Sequence, residues 1–180
     1  MDDQRNDDRT RFIDPAIQVP HLAAEDIMVV CPRCANRAIS RAYPNESRFI
    51  ISWPRRLTCP TCAYTADWDA SSCSAWGGPT DPFFRFPLWL TAECCGGREL
   101  WVLNAQHLDL LEQYVAARIR ERLHGSGMTM IARLPAWIKS AKHRAEILRT
   151  IHRLRATLDE PPVPPRDRVA GRRKLTAASR

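Results

Sequence analysis

The chain has 180 residues with 27 Lys and Arg against 20 Asp and Glu, a formal net charge of +7, and suits one compact domain with tails or two small joined modules. No run approaches the ~18 consecutive apolar residues of a membrane span, and the acidic, polar start MDDQRNDDRT is unlike a secretory signal, so a cytoplasmic location without a membrane partner is expected. There the seven cysteines stay reduced, and two C-x-x-C pairs read as metal ligands or redox centres in preference to disulfides.

Residues 1 to about 20 lack hydrophobic periodicity, and 1–26 reads as a flexible segment in which only Phe12 and Ile13 have reason to dock. From Ile27 the chain turns apolar (IMVVCPRC), and residues 48–53 and 56–59 have the β-branched and aromatic content of short strands. Each cysteine pair is thus expected where a strand ends in a tight turn. A loop of small residues follows over 69–81. Residues 88–93 and 99–103, around Cys95, Gly96 and Gly97, read as a β-hairpin, because glycine supplies the positive φ of a tight turn.

From Asn104, an N-cap residue type, the period becomes helical: Leu108, Leu111, Val115, Ile119 and Leu123 recur at three- and four-residue spacing until Gly125, Ser126 and Gly127. A second helix is expected from Pro135 to about Leu158, with Trp137, Ala141, Leu148 and Ile151 among its apolar residues. Residues 161–180 open with PPVPP and continue basic, a disordered tail that carries +5 by itself. The expected organisation is a flexible segment 1–26, a cysteine module 27–69, a hairpin with a pair of amphipathic helices over 70–160, and the tail 161–180, an α+β chain.

Cys31, Cys34, Cys59 and Cys62 carry the strongest chemical signal. Two C-x-x-C turns joined by a hairpin can aim four thiolates at one tetrahedral Zn²⁺. A redox centre of the thioredoxin kind needs its C-x-x-C at the start of a helix, and here each pair sits among strands. With four thiolates the ion has no open position, so one structural Zn²⁺ is expected, with no catalytic residue and no small-molecule substrate. CPRC, the strands after it and RRLTCPTCAYTADW resemble a bacterial zinc-ribbon protein of the transcription factor IIB type over about residues 29–69, and the later pattern is similar to that of uncharacterised bacterial proteins with a ribbon and a helical remainder. The resemblance implies a ribbon fold with those four cysteines as ligands. Such ribbons commonly have Gly directly after each second cysteine, where this chain has Ala35 and Ala63.

Cys73, Cys94 and Cys95 read as small buried side chains, and a nucleophilic Cys95 with His107 as its base is the enzyme alternative, which requires the two groups within hydrogen-bond reach. Lys139, Lys142, His143, Arg149 and Arg153 fall at spacings of three and four on one side of the expected second helix, flanked by Arg144 and Arg155. With Arg172, Arg173 and Lys174 of the tail they could follow a phosphate backbone of DNA or RNA. Arg48, Arg55 and Arg56, beside Phe49 and Trp53, give the cysteine module cations and aromatics of the kind single strands use. The other reading of the basic strip is a solvated helix face, and the alternative function is an adaptor that docks on a larger protein complex.

Overall fold

The structure is a computed structural model that describes residues 11–69, 76–121 and 128–163. It is an α+β fold built on a four-stranded antiparallel sheet. Strands β1 (Arg11–Ile13), β2 (Ile27–Val30), β3 (Arg37–Ala42), β4 (Arg55–Thr58) and β5 (Thr65–Trp68) come first, with a short helix α1 (Val19–Leu22) after β1. The sheet runs β2-β3-β4-β5, with Ile27 opposite Ser40, Ile39 opposite Thr58 and Leu57 opposite Ala66. Alternation sends Ile27, Val29, Ala38 and Leu57 into the core and their neighbours outward.

Residues 48–53, expected as a strand, instead hold a 3₁₀ turn at Ile50–Ser52. Ser47 explains it: its hydroxyl accepts the Phe49 amide, its carbonyl accepts Trp53 Nε1, and the backbone closes short bonds from Ser52 to Phe49 and from Trp53 to Ile50.

The expected hairpin forms as β6 (Thr91–Cys94) and β7 (Arg98–Trp101), with Cys94 opposite Arg98 and a three-residue turn of Cys95, Gly96 and Gly97. It joins the sheet at the β2 edge, where Trp89 N–H donates to Met28 O and Met28 N–H to Leu103 O. Helix α2 (Ala105–Ala116) begins at the expected cap: Asn104 Oδ1 accepts the His107 amide while its Nδ2 donates to Leu22 O.

The helix does not reach Leu123. It ends at Ala116, and Ile119–Glu121 forms β8, paired in parallel with β1. Arg120 makes that ending. Its guanidinium returns to the terminal carbonyls of Tyr114 and Val115 and lies 4.3 Å from the Tyr114 ring, which serves the orphan C=O groups with a side chain where a glycine cap was expected. Gly125, Ser126 and Gly127 lie outside the described residues.

The single second helix is also broken up. α3 (Met130–Arg133) and α4 (Ala136–Lys139) are one-turn pieces, and a 3₁₀ turn (Ala141–His143) leads into α5 (Arg144–Asp159). Pro135 is the residue before α4, and Ser140 is extended with its hydroxyl accepting from Lys142 N–H, so Ser140 caps a new start where continuity was expected.

One hydrophobic core spans all of this: Ile27, Val29 and Leu57 from the sheet, Leu90 and Leu100 from the hairpin, Leu108 and Leu111 from α2, Ile147 and Ile151 from α5. The cysteine module and the helical part therefore share one interior. Part of the expected flexible segment belongs to it as well. Phe12 is buried edge-on against Tyr114 with ring centres 5.5 Å apart, and buried Asp14 accepts the Thr129 hydroxyl at 2.7 Å. No helix among the described residues is long and apolar enough to cross a membrane.

Candidate metal centre

Cys31 follows β2 and Cys59 follows β4, so the antiparallel β2-β3-β4 arrangement carries both C-x-x-C turns to the same end of the sheet. The turns repeat one another. Ala35 N–H donates to Cys31 O at 2.9 Å and Ala63 N–H to Cys59 O at 3.0 Å, while Cys31 N–H donates back across the turn to Asn36 O and Cys59 N–H to Tyr64 O, each at 2.8 Å. Ala35 and Ala63 have φ of 57° and 55°, the left-handed conformation that favours glycine. The turn geometry is the one expected, held here by alanine.

The four sulfurs converge. Cys31 Sγ lies 3.6 Å from Cys62 Sγ and Cys34 Sγ 3.6 Å from Cys59 Sγ, and all four lie within 4.8 Å of one another. A tetrahedral ion with metal–sulfur bonds of ~2.3 Å places its sulfurs about 3.8 Å apart, so the cluster has the dimensions to hold a metal ion with little adjustment. None of the six described cysteines is in a disulfide. Cys31 and Cys59 are fully buried, and Cys34 and Cys62 half-buried.

Electrostatics favour a cation at this point. Burial pushes the Cys31 thiol up and the Cys62 thiol up to about 12. At Cys34 burial also works against the thiolate, but the backbone and side-chain amides of Asn36 and the neighbouring thiols outweigh it and bring the group down to about 6. Four thiolates cannot coexist here without a positive charge among them, and a bound metal cation would supply it. Asn36 Nδ2 donates to Cys34 Sγ at 3.5 Å, a support for the sulfur that the C-x-x-C spacing does not signal.

The expected polyanion contacts divide. Arg48, Arg56, Lys139, Lys142, Arg149 and Arg153 are exposed, Arg56 in an ion pair with Asp67 at 3.0 Å. Because Ser140 separates α4 from α5, Lys139 and Lys142 do not share a helix with Arg149 and Arg153, and the strip is not one helical face. Arg172, Arg173, Lys174 and Cys73 lie outside the described residues.

Arg55 requires a correction. It is 1% exposed, donating to Ser40 Oγ, Ser40 O, Ala23 O and Glu25 O and lying 4.6 Å from the Phe83 ring, so it cannot meet a polyanion. The signal was present in the sequence, since Arg55 shares the inward parity of Leu57 on β4 and of Cys59 just after it.

His107, the suggested base, has its Nδ1 occupied by the Leu103 amide, and burial lowers it to about 4. The histidine beside Cys95 is His143, which with Glu146 forms a second cluster of potential ligands. It joins a hairpin turn to a helix start, two places that no local spacing connects.

No family model matches the chain, and neither curated proteins nor solved structures yield a significant similarity.

Proposed function

We propose that the protein is a zinc-ribbon protein in which Cys31, Cys34, Cys59 and Cys62 hold one structural Zn²⁺ and the exposed cations associate with nucleic acid. The observation that supports it most is the pair of matching turns with sulfurs 3.6 Å apart across them. An all-thiolate donor set suits Zn²⁺ over the harder cations, and four protein ligands leave the ion no position for substrate or water. In this reading the metal is a folding element. Cys59→Ser should lose that ion and become protease-sensitive within the sheet; a variant that keeps full zinc content and protease resistance would show the ligand set to be wrong.

For the second half of the reading, Lys139, Lys142, Arg149 and Arg153 supply solvent-facing positive charge without an acidic partner among the described ion pairs. Phosphate contacts of this kind release counterions and weaken steeply with salt. The test is fluorescence anisotropy of the zinc-loaded protein with single- and double-stranded DNA and RNA across a salt series. Replacing the four cations by glutamine should weaken binding and flatten the salt slope; equal binding by both proteins removes these residues from the interface.

An adaptor role is favoured by a different observation. Tyr43, Phe49 and Ile51, all in the connection between β3 and β4, are 50%, 66% and 42% exposed, an apolar group of the kind that docks on proteins. A stoichiometric protein complex that survives nuclease and is lost in Phe49→Ser would establish this role.

A further inference from the structure

The turn of the β6–β7 hairpin sits over the start of α5, and three side chains of different chemistry meet there. The thiol of Cys95, the imidazole of His143 and the carboxylate of Glu146 place one ligand atom each within 4.8 Å of one another. We infer that Cys95, His143 and Glu146 form a second metal site, distinct from the four-cysteine centre, that takes a zinc-class divalent transition metal with three protein ligands and one position open to solvent.

The backbone is arranged around this meeting. Cys95 has φ of 53° in a turn whose other two residues, Gly96 and Gly97, occupy positive φ without a Cβ to oppose it. A non-glycine residue there costs on the order of 1 kcal/mol, and it persists where surrounding contacts fix it. The fixing contact is Glu146: its Oε1 accepts the Cys95 amide at 2.5 Å, tying the hairpin turn to the first turn of α5. A carboxylate offers two oxygens and about four lone-pair positions, so accepting one backbone N–H leaves Glu146 able to ligate a metal as well. His143 is the residue immediately before α5, three positions ahead of Glu146, so both lie toward the hairpin from one helix start.

The donor set selects the ion. A thiolate, an imidazole and a carboxylate oxygen are the three zinc-binding groups of proteins, and the two anionic ligands balance a divalent charge. Hard cations such as Mg²⁺ or Ca²⁺ want oxygen alone. Cys95 is buried while His143 and Glu146 are half-buried, so the ligand group lies at the margin of the core, within reach of solvent on the side of α5. No fourth Cys, His, Asp or Glu ligand atom joins the group among the described residues. Cys94 is a buried neighbour whose thiol interacts with the Cys95 thiol and also with Thr150, but its sulfur is not among the grouped ligand atoms. Three ligands with an open position make an exchangeable site, weaker than one that surrounds its ion with four thiolates.

The test uses the full chain loaded with zinc at the four-cysteine centre and titrated with Co²⁺, whose thiolate charge-transfer absorption reports a sulfur ligand. The wild type is expected to take up one further equivalent with that absorption. Cys95→Ser should abolish the band. His143→Ala, at a half-buried position, and Glu146→Gln, which retains an oxygen for the Cys95 amide, should each weaken the added equivalent at least about tenfold while zinc at the first centre is unchanged. Absence of an added equivalent in the wild type, or its retention at equal affinity in His143→Ala and Glu146→Gln, overturns the site. Because Cys59→Ser reports the first centre separately, failure of one site is distinguishable from failure of the other.

Discussion

The side-chain amide of Asn36 holds the backbone of Val163 from both sides: Nδ2 donates to Val163 O at 2.8 Å, and Val163 N–H donates to Oδ1 at 2.9 Å. Asn36 is the second residue beyond Cys34, and the same Nδ2 lies 3.5 Å from the Cys34 sulfur. Arg37 continues the clamp by donating to Leu158 O at the end of α5, and Trp89 Nε1 reaches Thr157 Oγ1 nearby. The first cysteine turn is therefore bonded to the point where α5 ends and the chain leaves toward its basic terminus.

This clamp makes the order of residues 161–163 depend on Asn36. Replacing it by alanine removes a bidentate pair worth about 1–2 kcal/mol. In Asn36→Ala the Val163 amide should exchange with solvent roughly 5- to 30-fold faster, measured by hydrogen exchange, while amides within β3 stay protected. Equal exchange rates at Val163 in both proteins would mean that the clamp does not hold in solution.

Ala35 and Ala63 give a second prediction. Each stands at a φ where an L-residue carries ~1–2 kcal/mol of strain, and a glycine relieves it while losing ~0.5–1 kcal/mol to the greater freedom of the unfolded chain. Ala35→Gly and Ala63→Gly should each stabilise the metal-loaded protein by up to about 1.5 kcal/mol, with a central expectation of about 0.7 kcal/mol, seen as a higher denaturation midpoint at unchanged m-value. A drop in the midpoint for both would mean that the turns relax away from positive φ.

What the sequence made legible was local, and what it hid was tertiary. The C-x-x-C turns, the glycine-bearing hairpin and the Asn104 cap each depend on residues within a few positions of one another. The end of α2 depends on Arg120 folding back onto Tyr114 O, which requires β8 to pair with β1 from the far end of the chain, so helical periodicity ran on past the true stop. Ser140 was a readable cap lying inside an apparently continuous pattern, and the pattern outweighed it. The cluster of Cys95, His143 and Glu146 exists only because α5 packs beneath a turn some fifty residues earlier in the chain.

Arg55 separates a buried cation from an exposed one on adjacent positions of β4. Arg55→Met keeps apolar volume but strips hydrogen bonds from Ala23 O, Glu25 O and Ser40 O, and removes the positive charge that attracts buried Asp81. A loss of about 3 kcal/mol or more is expected on denaturant unfolding, against a change within about 0.5 kcal/mol for Arg56→Met, whose partner Asp67 is solvated. Comparable, small effects at the two positions would contradict the inward orientation of Arg55.

His107 predicts how stability depends on pH. Burial lowers its pKa from the ordinary 6.5 to about 4, and its Nδ1 accepts the Leu103 amide, a bond available only to the neutral ring. The unfolded chain therefore binds the proton more readily than the folded one. The stabilisation is fully present above pH 6.5 and is lost as pH falls through 4, amounting to about 3 kcal/mol overall and about 2 kcal/mol by pH 5. Metal loss in acid would lower stability as well, so the measurement is the difference between wild type and His107→Asn, whose side-chain oxygen can take over the Leu103 amide and does not titrate. Between pH 7 and pH 5 the wild type should lose about 2 kcal/mol more than the variant. Parallel curves for the two proteins would place His107 in solvent and not in the core beside Trp101.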